Sequence, residues 1–407
     1  MTHIIQTEKM IYGGDCITKI NGKNIFVPYA CPGEKLEVEI TEDKRDYGRA
    51  RIVNIIEKSP DRIEPVCSLY TKCGGCNMQH IDYEAQTKMR INVLKSAFER
   101  EGVKIPEIKA IKGNPLNYRN RFQFHNGGLM EKMSNNVLDL KNCPCAVKEI
   151  NDYLEHTPMC KRPYGRVHVF ASDKIQGDQK IVIAREKEKE IEKPVKVKGK
   201  KKAIKRYTGT NYNEDNSLTI KIKDKNITFN VQGFFQSNLE VLEMTIDAVV
   251  KGLEGTNVLD MYAGCGTFSV FLAQKFKNVI LVEHNRDALV YAEQNLTGIK
   301  HASFGISGEK WVTEHADNCI RQYGPIDAVV IDPPRSGMEK KVCQWLCSSG
   351  IREIRSISCD TATQARDIKF LTRSGYIVKE LYLLDFYPQT GHIESLAILE
   401  REKPLEE

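Results

Sequence analysis

The sequence has no apolar run approaching the ~20 residues that a membrane-crossing helix needs, and its mean hydropathy is −0.42. No membrane partner is expected. The opening Met1-Thr2-His3-Ile4-Ile5-Gln6-Thr7 lacks the basic head and apolar stretch of a secretory leader, which predicts a cytoplasmic protein. A Walker A pattern is missing, and so is a full G-x-G-x-x-G fingerprint, since Gly264 and Gly266 are followed by Ser269. A pyrophosphate ligand is therefore disfavoured. Neither sign of charge dominates: 60 Lys+Arg against 54 Asp+Glu leave +6, weak support for a nucleic-acid partner. Cysteine, in contrast, is plentiful, at 13 residues. In a reducing compartment these should be free thiols, metal ligands or catalytic groups rather than bridges. The 407 residues predict two or three domains, with ample material for a core.

Residues 1–57 read as a small all-β module. Short runs such as Asn24-Ile25-Phe26-Val27 and Lys35-Leu36-Glu37-Val38-Glu39-Ile40 alternate with turns at Gly13-Gly14-Asp15, Asn21-Gly22 and Pro32-Gly33. With Lys44, Arg45, Arg49 and Arg51 nearby, this suits an oligonucleotide-binding barrel or a generic barrel with solvated charges. Residues 58–225 open on a cysteine cluster. A helix follows over Tyr83–Glu101, with Met89, Val93, Leu94, Ala97 and Phe98 near helical spacing. This region closes on a tract, 193–206, with eight basic residues and no acidic one. Such a tract is either a solvated loop or an arm that meets phosphate. Residues 226–407 alternate apolar strands with helix-like segments, which predicts a parallel, doubly wound α/β sheet.

Within that sheet, Val258-Leu259-Asp260-Met261-Tyr262-Ala263-Gly264-Cys265-Gly266-Thr267-Phe268 is a strand, a glycine turn and a helix start. Open α/β sheets bind ligands at the carboxyl ends of strands. The next strand ends in Glu283, placed to accept both ribose hydroxyls of a nucleoside. A glycine turn and an acidic strand end without a phosphate cradle point to S-adenosylmethionine. Strand Ile326–Ile331 exits into Asp332-Pro333-Pro334-Arg335, whose prolines stiffen the loop. Strand Ile354–Ser358 exits into Cys359. Glu394 opens a further strand and is either a surface carboxylate or a general base. One reaction class joins a cysteine, a carboxylate and S-adenosylmethionine: methylation at C5 of a pyrimidine. Thiolate addition at C6 makes C5 nucleophilic, and a base then removes the C5 proton. The target base must be unpaired or flipped out.

Together these residues resemble the RNA 5-methyluridine methyltransferase family over nearly the whole chain. The family joins an N-terminal RNA-binding barrel of the TRAM type, a central domain with an iron–sulfur cluster, and a C-terminal Rossmann-like methyltransferase domain. The resemblance implies an α/β fold of that kind, with a central α+β region. Asp332-Pro333-Pro334-Arg335-x-Gly337 is similar to the family's first signature, and Ser358-Cys359 to its nucleophile motif. Leu384-Asp385-x-x-Pro388-Gln389-Thr390-x-His392-x-Glu394 is similar to the second signature. By that match Cys359 is the nucleophile and Glu394 the proton-abstracting base. Gly233-Phe234-Phe235-Gln236-Ser237-Asn238 resembles a stretch in which Gln236 would contact cofactor and Phe234 would stack on the target base. Tyr262, Gly264, Thr267, Glu283 and Asp332 fall on cofactor-contact positions, and Arg335 on the substrate side. Asp360, Ser356 and Thr267 depart from the usual Asn, aromatic and Asn. The expected partner is RNA, 23S rRNA first and the transfer-RNA T-loop second, for a monomer without protein partners.

Cys67-x5-Cys73-Gly74-Gly75-Cys76 suits a metal or cluster. By resemblance the fourth ligand is Cys143, in a Cys-Pro context, with Cys145 as a rival, and the group is a [4Fe–4S] cluster. Four thiolates equally suit zinc on chemistry alone.

Overall fold

The computed structural model describes residues 2–185 and 216–402. The basic tract at 193–206 lies outside the described residues. The first six strands form one sheet in the order Thr2–Gln6, Lys35–Asp43, Tyr47–Glu57, Lys23–Val27, Cys16–Ile20, Lys9–Met10. Its ends curl together: the Thr18 hydroxyl, on the fifth strand of that order, donates to the Gln6 carbonyl at 2.8 Å. Period-two alternation sets the inside. Leu36 and Val38 are buried while Lys35, Glu37 and Glu39 are not. Ile25, Val27 and Ala50 complete the barrel core.

The central region is α+β. Arg121–His125, Arg166–Ala171 and Ile181–Arg185 make an antiparallel sheet. Helix Lys148–His156 packs Ile150 and Leu154 onto Phe122, Phe124 and Val169. The thiols of the 67–76 loop and of Cys143-Pro144-Cys145 face one another beside this core.

The C-terminal sheet has eight strands in the order His301–Phe304, Phe276–Val282, Gly255–Met261, Ala328–Ile331, Glu353–Ser358, Glu394–Arg401, Tyr376–Leu384, Ile108–Ile111. Its first five strands are parallel. Glu394–Arg401 runs antiparallel to both neighbours. The expected doubly wound sheet is present, because strands such as Val258–Met261 and Ala328–Ile331 are buried on both faces.

One segment lies elsewhere than its place in the chain suggests. Helix Tyr83–Glu101 forms over the expected residues. Asp82 caps its N-terminus, accepting from the Glu84 and Ala85 amides, and Gly102 at φ 70° ends it. Its buried face, Val93, Leu94, Ala97 and Phe98, joins the core of the C-terminal sheet. Strand Ile108–Ile111 extends that sheet's edge, parallel to Tyr376–Leu384. A buried ion pair fastens the arrangement: Arg90 donates to both Asp385 oxygens at 2.6 and 2.9 Å. The Tyr83 hydroxyl adds a bond to Asp385 at 2.8 Å.

Candidate active site

Four neighbouring parallel strands end on one side of the sheet, and each delivers a side chain just past its last residue. Tyr262 follows Gly255–Met261, Glu283 follows Phe276–Val282, Asp332 follows Ala328–Ile331 and Cys359 follows Glu353–Ser358. Glu394 starts the antiparallel strand whose Ser395 pairs with Ser358. Sheet register therefore carries Cys359 and Glu394 to the same edge. A cavity of about 930 Å³ opens there, lined by Phe234, Gln236, Tyr262, Gly264, Thr267, Glu283, Asp332, Arg335, Cys359 and Glu394. These are the residues singled out in the sequence for cofactor, substrate and chemistry.

The glycine turn leaves room for a ligand. Gly264 has φ +58°, and a Cβ there would meet nothing within 4 Å, so its place beside the cavity is open space. Gly266, at φ +78°, serves packing instead, since a Cβ would sit 3.0 Å from that of Ala292. Glu283 accepts the Gly264 amide at 2.8 Å and the Asn285 amide at 2.6 Å. The Gln236 side-chain oxygen is buried and has no hydrogen-bond partner among the described residues. Since a buried polar atom without a partner is costly, this carbonyl fits a donor brought by a ligand. Phe234 and Phe235 separate. Phe235 stacks on Phe229 in the core at 3.9 Å, while Phe234 is 66% exposed at the cavity.

Carboxylates crowd this cavity. Burial raises Glu394 to about 8, Asp332 adds to the rise, and the Arg335 guanidinium opposes it. Asp332 stands at about 7 through burial, with Asp260 and Glu283 pushing the same way. Asp332 is half-buried at the cavity wall, where the surrounding protein leaves its charge poorly solvated. The Cys359 thiol is raised by burial, then by Glu394 and Asp332, with Arg335 opposing. A cation in the cavity would lower all three, which suits a sulfonium ligand. The arrangement can hold a cationic nucleoside at the glycine turn and present a thiol and a carboxyl to a planar base.

A second cavity, about 320 Å³, is lined by Cys67, Cys73, Cys76, Cys143 and Cys145. The expected ligands thus converge. Cys145 is buried, and its sulfur lies 3.7 Å from that of Cys76. Hydrogen bonding with the Cys145 sulfur is the main cause lowering Cys143 and Cys76. Among the described residues, no three His, Cys, Asp or Glu side chains stand together in a geometry that could hold a metal ion. All 13 cysteines are free thiols.

Other residues at the site were not singled out in the sequence. Arg119 lines both cavities, and no local pattern marks it. Tyr387 lines the reaction cavity and lies inside the Leu384–Glu394 motif, where an aromatic among functional residues is the available signal. Tyr262 donates to the Glu339 carboxylate, a contact that only the fold makes.

Residues 173–402 match the family model described as tRNA (Uracil-5-)-methyltransferase, and residues 4–53 match the TRAM domain. An uncharacterized RNA methyltransferase of Treponema denticola is 35% identical, over 98% of this chain and 99% of that protein. The 23S rRNA (uracil(1939)-C(5))-methyltransferase RlmD of Shewanella woodyi is 30% identical, over 97% and 95%. The crystal structure of Pyrococcus abyssi tRNA (uracil-54, C5)-methyltransferase in complex with S-adenosyl-L-homocysteine is similar with a TM-score of 0.72. The two share 20% identity, over 98% of this chain and 99% of that one.

Proposed function

We propose a substrate and a division of labour for a chain that belongs to the tRNA (uracil-5-)-methyltransferase family and is an RNA uracil-C5 methyltransferase. The substrate is a uridine in structured RNA, with 23S rRNA the first choice. The full-length likeness to RlmD proteins supports it. The transfer-RNA T-loop is the second choice, supported by the shared fold with an enzyme of that name.

One observation carries the mechanism: Cys359 and Glu394 line one cavity with the open glycine turn. Gln236, Tyr262, Gly264, Thr267, Glu283 and Asp332 hold S-adenosylmethionine, which supplies the methyl group as a sulfonium. Exposed Phe234 stacks on the flipped uracil, and Arg335 attends the substrate side. The Cys359 thiolate adds to C6, forming the S–C6 bond and making C5 enolate-like. C5 takes the methyl group as the methyl–sulfonium bond breaks. The Glu394 carboxylate removes the C5 proton, and the S–C6 bond breaks to free the thiolate. Both groups must be ionised and burial raises both above their ordinary values, so the reaction quickens as pH rises, over a range that the bound sulfonium moves downward.

Five thiols in the lining of the second cavity, Cys67, Cys73, Cys76, Cys143 and Cys145, would suit a thiolate-bound group once drawn together around it, and by family resemblance that group is a [4Fe–4S] cluster on Cys67, Cys73, Cys76 and Cys143. Bound there, it would cross-link the 67–76 loop to the Cys143 turn. About four irons per chain with visible absorbance are expected after anaerobic purification. Stoichiometric zinc in a colourless preparation would overturn that reading.

Mapping 5-methyluridine in RNA from cells lacking the protein tests the substrate. Loss of a 23S rRNA modification is expected. Loss confined to transfer RNA would move the reading to the T-loop.

A further inference from the structure

The barrel reaches the reaction centre itself. Tyr12 precedes the Gly13-Gly14 turn between barrel strands Lys9–Met10 and Cys16–Ile20. Its hydroxyl donates to the main-chain carbonyl of Cys359 at 3.1 Å, from 347 residues away. The residues flanking Cys359 are held within their own turn. Ser358 Oγ accepts the Asp360 amide at 3.1 Å and donates to the Asp360 carbonyl at 3.0 Å. Asp360 in turn caps helix Thr361–Arg373, accepting from the Ala362 and Thr363 amides. The carbonyl of Cys359 looks instead to the barrel.

The next residue of the same turn meets the other arm of the site. Gly13 forms an antiparallel bridge with Gly391, its amide donating to the Gly391 carbonyl at 3.3 Å. Asn77 clamps the joint: its Nδ2 donates to the Gly13 carbonyl at 2.6 Å, and its Oδ1 accepts the Gly391 amide at 2.9 Å. A Cβ on Gly391 would collide with the Gly13–Gly14 backbone. Gly391 lies three residues before Glu394. The sheet aligns Ser358 with Ser395, but Cys359 lies beyond that ladder and the loop into Glu394 lies before it. The barrel turn touches both of these stretches. Tyr12 also lies within electrostatic reach of Asp360, Arg335, Cys359 and Glu394.

We infer that the Tyr12–Gly14 turn is a positioning element for the methyl-transfer centre, orienting the Cys359 turn and the loop into Glu394. The barrel thereby acts on the chemical step as well as on RNA binding. This rests on the reading of Cys359 as nucleophile and Glu394 as base. A hydrogen bond of this kind sets the aim of the sulfur, and small errors of aim are costly in rate.

The test uses the full-length protein and a 23S rRNA transcript carrying 5-fluorouridine in place of uridine. Covalent adduct formation is followed in a single turnover at saturating S-adenosylmethionine and RNA, with RNA affinity measured separately. Tyr12→Phe keeps the ring and removes the donor. Its adduct rate should fall about fivefold to tenfold, with RNA affinity within about twofold of wild type and an unchanged melting temperature. Gly391→Ala should fall further while still binding S-adenosylhomocysteine. If it does not fold, Tyr12→Phe decides alone. An unchanged adduct rate in Tyr12→Phe, or a defect confined to RNA affinity, would overturn the inference. Should Cys359→Ala still form the adduct, the nucleophile assignment falls and this inference with it. Should only wild-type-like rates appear in Tyr12→Phe while Cys359→Ala is inert, this inference falls alone.

Discussion

Two cavities share the wall made by Gly74, Gly75 and Arg119, yet they are built in opposite ways. The reaction cavity takes Tyr262, Glu283, Asp332, Cys359 and Glu394 from the ends of hydrogen-bonded strands, so the ladder fixes where those strands end whether or not a ligand is bound. The cysteine cavity takes its sulfurs from irregular loops around residues 67–76 and 143–145. Nothing periodic holds those loops. Turn bonds and side chains hold them instead: the Tyr118 and Arg119 amides donate to the Cys145 carbonyl at 3.0 and 2.8 Å, Asn151 accepts the Cys143 amide at 2.9 Å, and the Gln79 side chain accepts the Cys67 amide at 3.1 Å. One site is preorganised by the sheet. The other is held by loop contacts, to which a group bound by the thiols would add.

The largest effect should come from the preorganised side. Cys359→Ala is expected to lower turnover by more than about a thousandfold. Binding of S-adenosylmethionine and RNA should persist, since the strand ends stay in place. Methyl incorporation with parallel calorimetry checks both halves. Retained turnover would mean that the sulfur is a lining group only.

Next in size is the fastening of the sheet to its borrowed helix. Asp385→Asn strips a buried guanidinium of its counter-charge at Arg90. A loss of about 3–5 kcal/mol is expected, read from denaturant unfolding. A loss below about 1 kcal/mol would show that the helix is held by its apolar face alone.

On the proposal that the thiols hold a cluster, removing it should separate the two sites. Chelation under anaerobic conditions should raise amide exchange in residues 67–79 and 143–147 by about tenfold or more, leaving strands Gly255–Met261 and Ala328–Ile331 protected. Equal loosening of both regions would erase the contrast drawn here.

The smallest effect concerns proton affinities. In the free protein Glu394 titrates near 8, and once charged it helps hold the Cys359 thiol protonated. Glu394→Gln removes that charge, so the thiol should ionise at lower pH than in wild type. Arg335→Ala removes the opposing cation and should move it to higher pH. Alkylation rate at residue 359 against pH reports both directions. Identical profiles would place the two side chains too far from the sulfur to matter.

How much of this was legible beforehand follows from where each signal resides. Asp332 and Cys359 follow apolar runs, so a strand reading places them on a ligand-facing edge; Glu394 opens such a run, and only the family resemblance singles it out from a surface carboxylate. Helix Tyr83–Glu101 was legible from its spacing, but its destination was not. Asp385 was visible as part of a motif, yet its partner Arg90 lies 295 residues away. The edge strand Ile108–Ile111 is four residues long, too short for periodicity to declare which sheet it joins. Tyr12 was not singled out in the sequence, because only the docking of barrel against sheet brings it to Cys359. The converging cysteines were legible as a group. The choice between Cys143 and Cys145 was not, since two residues of spacing separate them and both reach the same cavity.

The most direct measurement is mass spectrometry of the denatured adduct between the wild-type protein and RNA containing 5-fluorouridine, formed with S-adenosylmethionine present. Fluorine at C5 leaves no proton for Glu394 to remove, so the S–C6 bond should persist. The account predicts a methylated fluorouridine nucleotide on the peptide carrying Cys359. A nucleotide attached to any other residue, or methylated RNA released with no adduct at all, would contradict it.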